Sequence, residues 1–339
     1  MTESLNGEKK KGQTLRQMLP GIIVSAACVA VLVWQIDLQA TLDAFLQVKL
    51  WRLGAALAVL VLAFVTRSMA WRALMQEQAS LPETFSAMGI GYLFNQLLPF
   101  RLGEVARSLV IGLRTPLSFW EVFPTVVVER IFDLAFLALV LLATLPFVAG
   151  VSWAGTAAVF SIALVVVGFG VLYAIVLNPG AVQGLYARLS ERWPKAKSFG
   201  EEKIDLFLRG LSVIRKPGRF LAVLGWIALT WVLTLTWNGI ILGSFYPDFS
   251  VLELGFIVGI AAVGVAAPST PGNLGVYEAA IWSAFLALSA DTAHGLAYAL
   301  ATHGLYILVV ILLGVGGLMR TGISLREIYH SAKNRQTRV

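Results

Sequence analysis

The stretch Gly91–Val110, GYLFNQLLPFRLGEVARSLV, decides how the rest of the chain is read. An apolar run enters it, stops at Pro99, and resumes after Arg101, Gly103, Glu104 and Arg107. A helix needs about 20 apolar residues to cross a bilayer, and neither half of this stretch is that long. The interruption recurs in Ala266–Ala280, AAPSTPGNLGVYEAA. Two broken hydrophobic segments, one in each half of the chain, point to a transport-type site near the middle of a membrane. The alternative is a loop outside the bilayer at 91–110, although charged loops rarely carry so many apolar residues on both sides.

Composition sets the class. Of 339 residues, 58% are hydrophobic and 13% charged. A water-soluble chain of that make-up could not cover its surface with polar groups, so the expected fold is an all-α polytopic integral membrane protein. Ten Trp and 31 Gly fit, since Trp favours the membrane interface and Gly permits close helix contact. The net charge of +7 comes from basic residues grouped in a few segments, which report orientation and not nucleic-acid binding. The single Cys28 excludes a disulfide framework and a cysteine metal site. The basic N-terminus superficially resembles a signal peptide but lacks a small-residue cleavage site, so a retained first span is expected.

In chain order, 1–18 reads as a basic cytoplasmic tail and 19–319 as a single transmembrane domain, followed by a basic tail at 320–339. About six full spans are predicted, near 19–36, 50–70, 121–148, 153–177, 219–245 and 293–319. Arg67 and Arg72 close the second, and Asn178-Pro179-Gly180 stops the fourth. Two broken, re-entrant helical elements cover about 84–114 and 251–289. The hydrophilic stretch 181–218 is basic and therefore cytoplasmic. Within it Ile204, Leu208 and Leu211 recur at helical spacing with Phe207 beside them, which predicts an amphipathic helix on the membrane. Six crossings leave both termini cytoplasmic. The first hairpin then enters from the cytoplasm and the second from the opposite face, an inverted repeat. If 251–267 and 274–289 are two full spans instead, the parity survives and the second re-entrant element does not.

Charged residues so deep in apolar sequence are candidates for function. Gly103–Leu113 can start a half-helix whose amides and positive dipole end face inward and suit an anionic head group. Arg101 and Arg107 add the fork geometry that fits phosphate, and Glu104 can hold Arg107 from three residues away. On the third span Glu129 and Asp133 share a face, and Arg130 can pair Asp133. Charges at that depth face the protein interior. They form either a cation or proton site, a carboxylate partner for Arg101 or Arg107, or a structural salt-bridge network. In the second break, Pro271, Gly272 and Gly275 permit an unwound stretch, and Glu278 falls in the first turn of the helix after it. His294 and His303, nine apart, lie on roughly opposite helix faces and make no metal pair. No catalytic residue, metal site or cofactor is expected, and no nucleotide-binding loop is present in the sequence.

Three motifs in order, Asn95-x-x-x-Pro99-x-Arg101-x-Gly103-Glu104-x-x-Arg107, Glu129-Arg130-x-x-Asp133 and Pro271-Gly272-x-x-Gly275-x-x-Glu278, resemble the lysylphosphatidylglycerol synthase transmembrane-region family, also called flippase-like membrane proteins. The resemblance covers roughly 15–320. It implies a bundle with re-entrant elements and the movement of a lipid between leaflets of a bacterial or archaeal cytoplasmic membrane. The full synthases append a soluble aminoacyl-transferase domain, whereas this sequence ends about twenty residues after its last span, so lipid aminoacylation is not expected. The expected partners are membrane lipids, phospholipid or lipid-linked glycan, with a homo-oligomer or an envelope-lipid enzyme as further associations. The substrate-binding set is Asn95, Arg101, Gly103, Glu104, Arg107, Glu129, Arg130, Asp133, Pro271, Gly272, Gly275 and Glu278. A membrane transferase acting on a lipid, with Glu129 or Asp133 as general base, is the rival reading. A scaffold subunit of an envelope-lipid pathway is a third.

Overall fold

The computed structural model describes residues 21–35, 37–98, 102–145, 154–192, 200–211, 215–266, 270–323 and 327. The predicted roles of Pro99, Arg101 and Pro268, the N-terminal tail and most of the C-terminal tail lie outside these residues, while Arg320, predicted to open the latter tail, is in the last turn of a helix. Among them the chain is all-helical: α1 (Gly21–Gln35), α2 (Leu38–Leu46), α3 (Leu50–Leu74), α4 (Leu81–Leu97), α5 (Gly103–Arg114), α6 (Phe119–Thr144), α7 (Ala154–Leu177), α8 (Pro179–Arg192), α9 (Glu201–Leu211), α10 (Pro217–Leu242), α11 (Val251–Ala266), α12 (Val276–Ala287) and α13 (Thr292–Thr321). A single 3₁₀ turn, Pro271–Asn273, precedes α12.

Local chemistry fixes where these helices begin. Ser80 with Glu83, Ser118 with Glu121 and Ser250 with Glu253 form reciprocal caps at the starts of α4, α6 and α11. Asp291 caps α13 through the Ala293 amide. Each cap sits where a long apolar run starts, so polar end and greasy body are written together.

Among the described residues, length and composition do not confirm the expected six full spans. Three helices, α3, α10 and α13, are long and apolar enough to cross a membrane, and up to five crossings result if each of two bent pairs counts as one. α1 fills the predicted first span and the chain then bends by 91° into α2, and it turns by 90° from α7 into α8 at Asn178-Pro179, where Pro179 opens a new helix. α6 is 26 residues long but carries Glu121, Glu129, Arg130 and Asp133. The second span also runs on past 70 to Leu74, which leaves Arg67 inside the helix and not at its end. The amphipathic helix expected in the basic stretch exists as α9, and it packs on the start of α6: Gly210 lies against the Glu121 carbonyl and Leu211 is buried.

The two broken segments position everything else. α3 and α10 lie antiparallel, joined by Arg52 to Ser244, by Thr66 to Thr230 (2.9 Å) and by Arg219 to Gln76. α4 leaves from the Gln76 end of this pair and α11 from the Ser244 end. Each segment turns back on itself, α5 against α4 and α12 against α11. The two hairpins therefore enter the bundle from opposite ends, and their tips meet, with Gln96 at the end of α4 against Gly272.

Two long helices span both hairpins. α13 packs its last turns on α4, with Gly317 on Ser86 and Gly314 on Leu93, and its early turns on α12, with Gly295 on Phe285. α6 runs beside α5 first and reaches α11 with Leu141 and Thr144, which meet Gly259 and Gly255. At 1.5 Å per residue the 30-residue α13 is about 45 Å long, close to the about 43 Å of α4 and α12 end to end. Each hairpin has its own apolar cluster, around Trp71, Met88 and Leu109 in one case and Phe256, Ile281 and Tyr298 in the other.

Within the first hairpin the backbones touch. A methyl group on Gly103 would sit 1.9 Å from the Gly91 carbonyl oxygen, whereas Gly316, within the last two turns of α13, has nothing within 4 Å. Gly103→Ala is expected to cost about 3 kcal/mol by overpacking. Gly316→Ala should instead add up to about 1 kcal/mol from helix propensity. Thermal unfolding of the two variants in detergent checks both signs.

Candidate functional site

The first hairpin brings five of the predicted residues together and recruits a sixth. Glu129, fully buried on α6, bridges two arginines: its Oε1 lies 3.0 Å from Arg67 Nη2 and its Oε2 2.8 Å from Arg107 Nη1. Glu104 holds Arg107 at 2.8 Å and also pairs with Arg130. Arg130 reaches Asp133 at 3.1 Å, and Asp133 closes the circuit on Arg67. Three guanidinium groups thus meet three carboxylates, and the formal charge of the cluster is zero. Taking a single charge out of water costs several kcal/mol, so only a balanced set can occupy this depth.

Arg107 is the most enclosed of the three, 2% exposed. Its guanidinium lies 4.6 Å over the Trp71 ring and donates to Met88 Sδ at 3.0 Å. Trp71 in turn donates its indole N–H to Thr125 Oγ1 at 2.9 Å. A planar, weakly hydrated cation suits this seat, where an ammonium would not. Arg130 is the open edge, with a third of its side chain exposed. One turn from Arg67, Phe64 joins Tyr92 and Tyr306 in an aromatic trio with ring centroids 5.2–6.4 Å apart.

Other predicted residues do different work. Asn95 Oδ1 accepts the Gly103 amide at 2.9 Å, so one of the inward amides at the start of α5 is taken by the protein itself. Pro271 opens the 3₁₀ turn, and Gly272 (φ 77°) and Gly275 (φ 80°) occupy the left-handed region that a Cβ disfavours. Ser25 of α1 satisfies this break, accepting the Thr270 amide at 3.1 Å. Glu278 does not join the arginine cluster. One carboxylate oxygen accepts the Gly275 amide at 2.7 Å and the other lies 2.6 Å from His303 Nδ1.

Sequence reasoning missed Arg67, Trp71, Ser25 and His303. The available signal for Arg67 was its place, seven residues before the end of a continuous apolar run, which a span-ending arginine does not require. His303 gave no such signal, because its partner is 25 residues away on another helix. His294 instead pairs Asp291 within its own first turn.

A cleft of about 230 Å³ opens at the end of the bundle where α3 stops and α6 begins, lined by Gln76, Gln78, Glu121, Thr125 and Arg209 among others. It lies apart from the charge cluster, and Thr125 is the link: it borders the cleft and holds Trp71 over Arg107.

Removing one partner of a buried pair leaves a bare charge, at a cost of about 3–5 kcal/mol. Glu129→Gln is therefore expected to destabilise the fold strongly, and adding Arg107→Met should recover part of the loss. Melting temperatures of the single and double variants read this directly, and an unshifted Glu129→Gln would show the bridge to be dispensable.

No curated protein and no solved structure matches the chain at a significant level. The family model for the lysylphosphatidylglycerol synthase TM region matches residues 18–314, which contain both hairpins and the charge cluster. The chain belongs to the lysylphosphatidylglycerol synthase TM-region family and is a multi-pass helical membrane protein.

Proposed function

We propose that the protein moves a lipid with an anionic head group between the leaflets of its membrane. In this reading α4–α5 and α11–α12 are re-entrant hairpins of an inverted repeat, each dipping into the bilayer from its own face. The observation that carries it is the meeting of the two tips inside the bundle beside a balanced set of six charges, of which Arg107 and Glu129 are buried. Irregular backbone at membrane depth is tolerated only where it is enclosed by protein or lines a polar cavity.

The chemistry suits a phosphate. Arg67 Nε and Arg107 Nε are buried with no hydrogen-bond partner among the described residues, so each keeps a donor in reserve. A phosphate entering at the exposed edge of Arg130 takes the place of a carboxylate there, and the guanidinium fork binds either anion with two parallel hydrogen bonds. Exchange of one anion for another keeps the buried charge small throughout, which lowers the barrier to bringing a head group across. The cleft beside Thr125 marks one end of the bundle and does not reach the cluster. Arg72, Arg114, Arg219 and Arg320 all fall at that end, so the positive-inside rule makes it cytoplasmic. The chain in this reading carries its lipid without transforming it.

Arg130→Lys keeps the charge and removes the fork. With about 1.5–3 kcal/mol for a hydrogen bond to a charged group, movement of a labelled phosphatidylglycerol in proteoliposomes should slow by about tenfold or more. Unchanged rates in both Arg130→Lys and Arg130→Ala, with folding intact, would count decisively against a head-group site at the cluster.

A further inference from the structure

The two span–hairpin–span units place an ion contact at matching positions and use different chemistry there. In the first, Glu104, the second residue of α5, pairs with Arg130, the twelfth residue of α6. In the second, Glu278, the third residue of α12, lies against His303, the twelfth residue of α13. Both contacts tie the start of a returning hairpin helix to the long helix that follows it. Arginine stays charged at every physiological pH, whereas histidine gains or loses its charge between pH 5 and 8.

The geometry points to Glu278 and His303 as a proton-binding site that sets how tightly the second hairpin is held, and so couples lipid movement to pH. This consequence rests on the transport reading; the proton site itself does not. With a neutral imidazole, His303 donates Nδ1–H to the Glu278 carboxylate, whose negative charge is met by the Gly275 amide and the positive end of α12. A proton taken up at Nε2 turns this hydrogen bond to a carboxylate into an ion pair in which both partners are charged and the net charge is zero, so Coulomb attraction adds to the bond already there. Both side chains are buried, Glu278 7% and His303 6% exposed.

The surroundings leave this switch to the pair. Tyr277 packs its ring 4.7 Å from His303 and gives its hydroxyl to Thr302. Tyr298, one turn before Thr302, donates to Asn238 of α10. On the neighbouring elements, Glu253 of α11 is tied to Ser250 and Tyr246, Asp37 caps α2, Cys28 lies on α1, and Arg67 of α3 belongs to the other cluster.

The test has two independent arms. In the first, the full-length protein is labelled with ¹⁵N-histidine in detergent and titrated from pH 5 to 8, the His303 signal being assigned by its loss in His303→Gln among three histidines. A His303 shift that moves with pH is expected, and one that stays constant overturns the proton site whatever the lipid does. In the second, movement of labelled phosphatidylglycerol in phosphatidylglycerol vesicles is followed at pH 5.5 and 7.5. The wild type is expected to be slower at pH 5.5, on the order of tenfold, as the protonated pair clamps the hairpin. His303→Gln and Glu278→Gln, each unable to form the ion pair, should show a flat profile near the faster rate. The same pH profile in the variants as in the wild type overturns the coupling. Absence of lipid movement by the wild type at every pH overturns the transport reading and the coupling with it, while the first arm still reads the proton site.

Discussion

A peptide group left unpaired away from water costs several kcal/mol, and this chain twice stops one helix and starts the next within a few residues, between Leu97 and Gly103 and between Ala266 and Val276. The fold answers that constraint locally at each break. Asn95 takes the amide of Gly103, Ser25 takes that of Thr270, and Glu278 takes that of Gly275. The remaining cover comes from the tips themselves, Gln96 lying against Gly272. Two helices long enough to flank both hairpins, α6 and α13, then keep the tips in register. Small residues at these contacts let the backbones approach, which matters where lipid supplies no hydrophobic drive to pack helix on helix.

Charge is the second constraint, and it follows from the first. The start of α5 cannot be wet on all sides, yet it carries Glu104 and Arg107 among its first five residues. Those charges are tolerable because α3 and α6 deliver Arg67, Glu129, Arg130 and Asp133 to the same place. Glu129 is the centre of the set, with an arginine on each oxygen and no measurable exposure. A balanced cluster of this kind costs less per charge to bury than a member left without its partners. Stability and the proposed transport therefore draw on the same groups.

The pairing of the two halves gives the asymmetry its meaning. One hairpin is anchored to its long helix by an arginine and the other by a histidine, at equivalent points of antiparallel units. Identical anchors would hold both hairpins alike at every pH. A fixed anchor on one side and a titratable one on the other lets a single proton change the balance between the two faces of the bundle.

Much of this was legible in the chain. The apolar composition, the breaks near Pro99 and at Pro271-Gly272, and the helix restarting at Gly103 follow from residue chemistry alone, and so do the local pairs Glu104–Arg107 and Arg130–Asp133, because their partners are three residues apart. The number of crossings was not, since a bend at Asn178-Pro179 or between α1 and α2 looks in sequence like the end of a span or the middle of one. Only the tertiary structure decided which distant charges meet. Arg67 reaches Glu129 from 62 positions away and His303 reaches Glu278 from another helix, distances over which side-chain spacing carries no information and only the antiparallel packing of whole helices does.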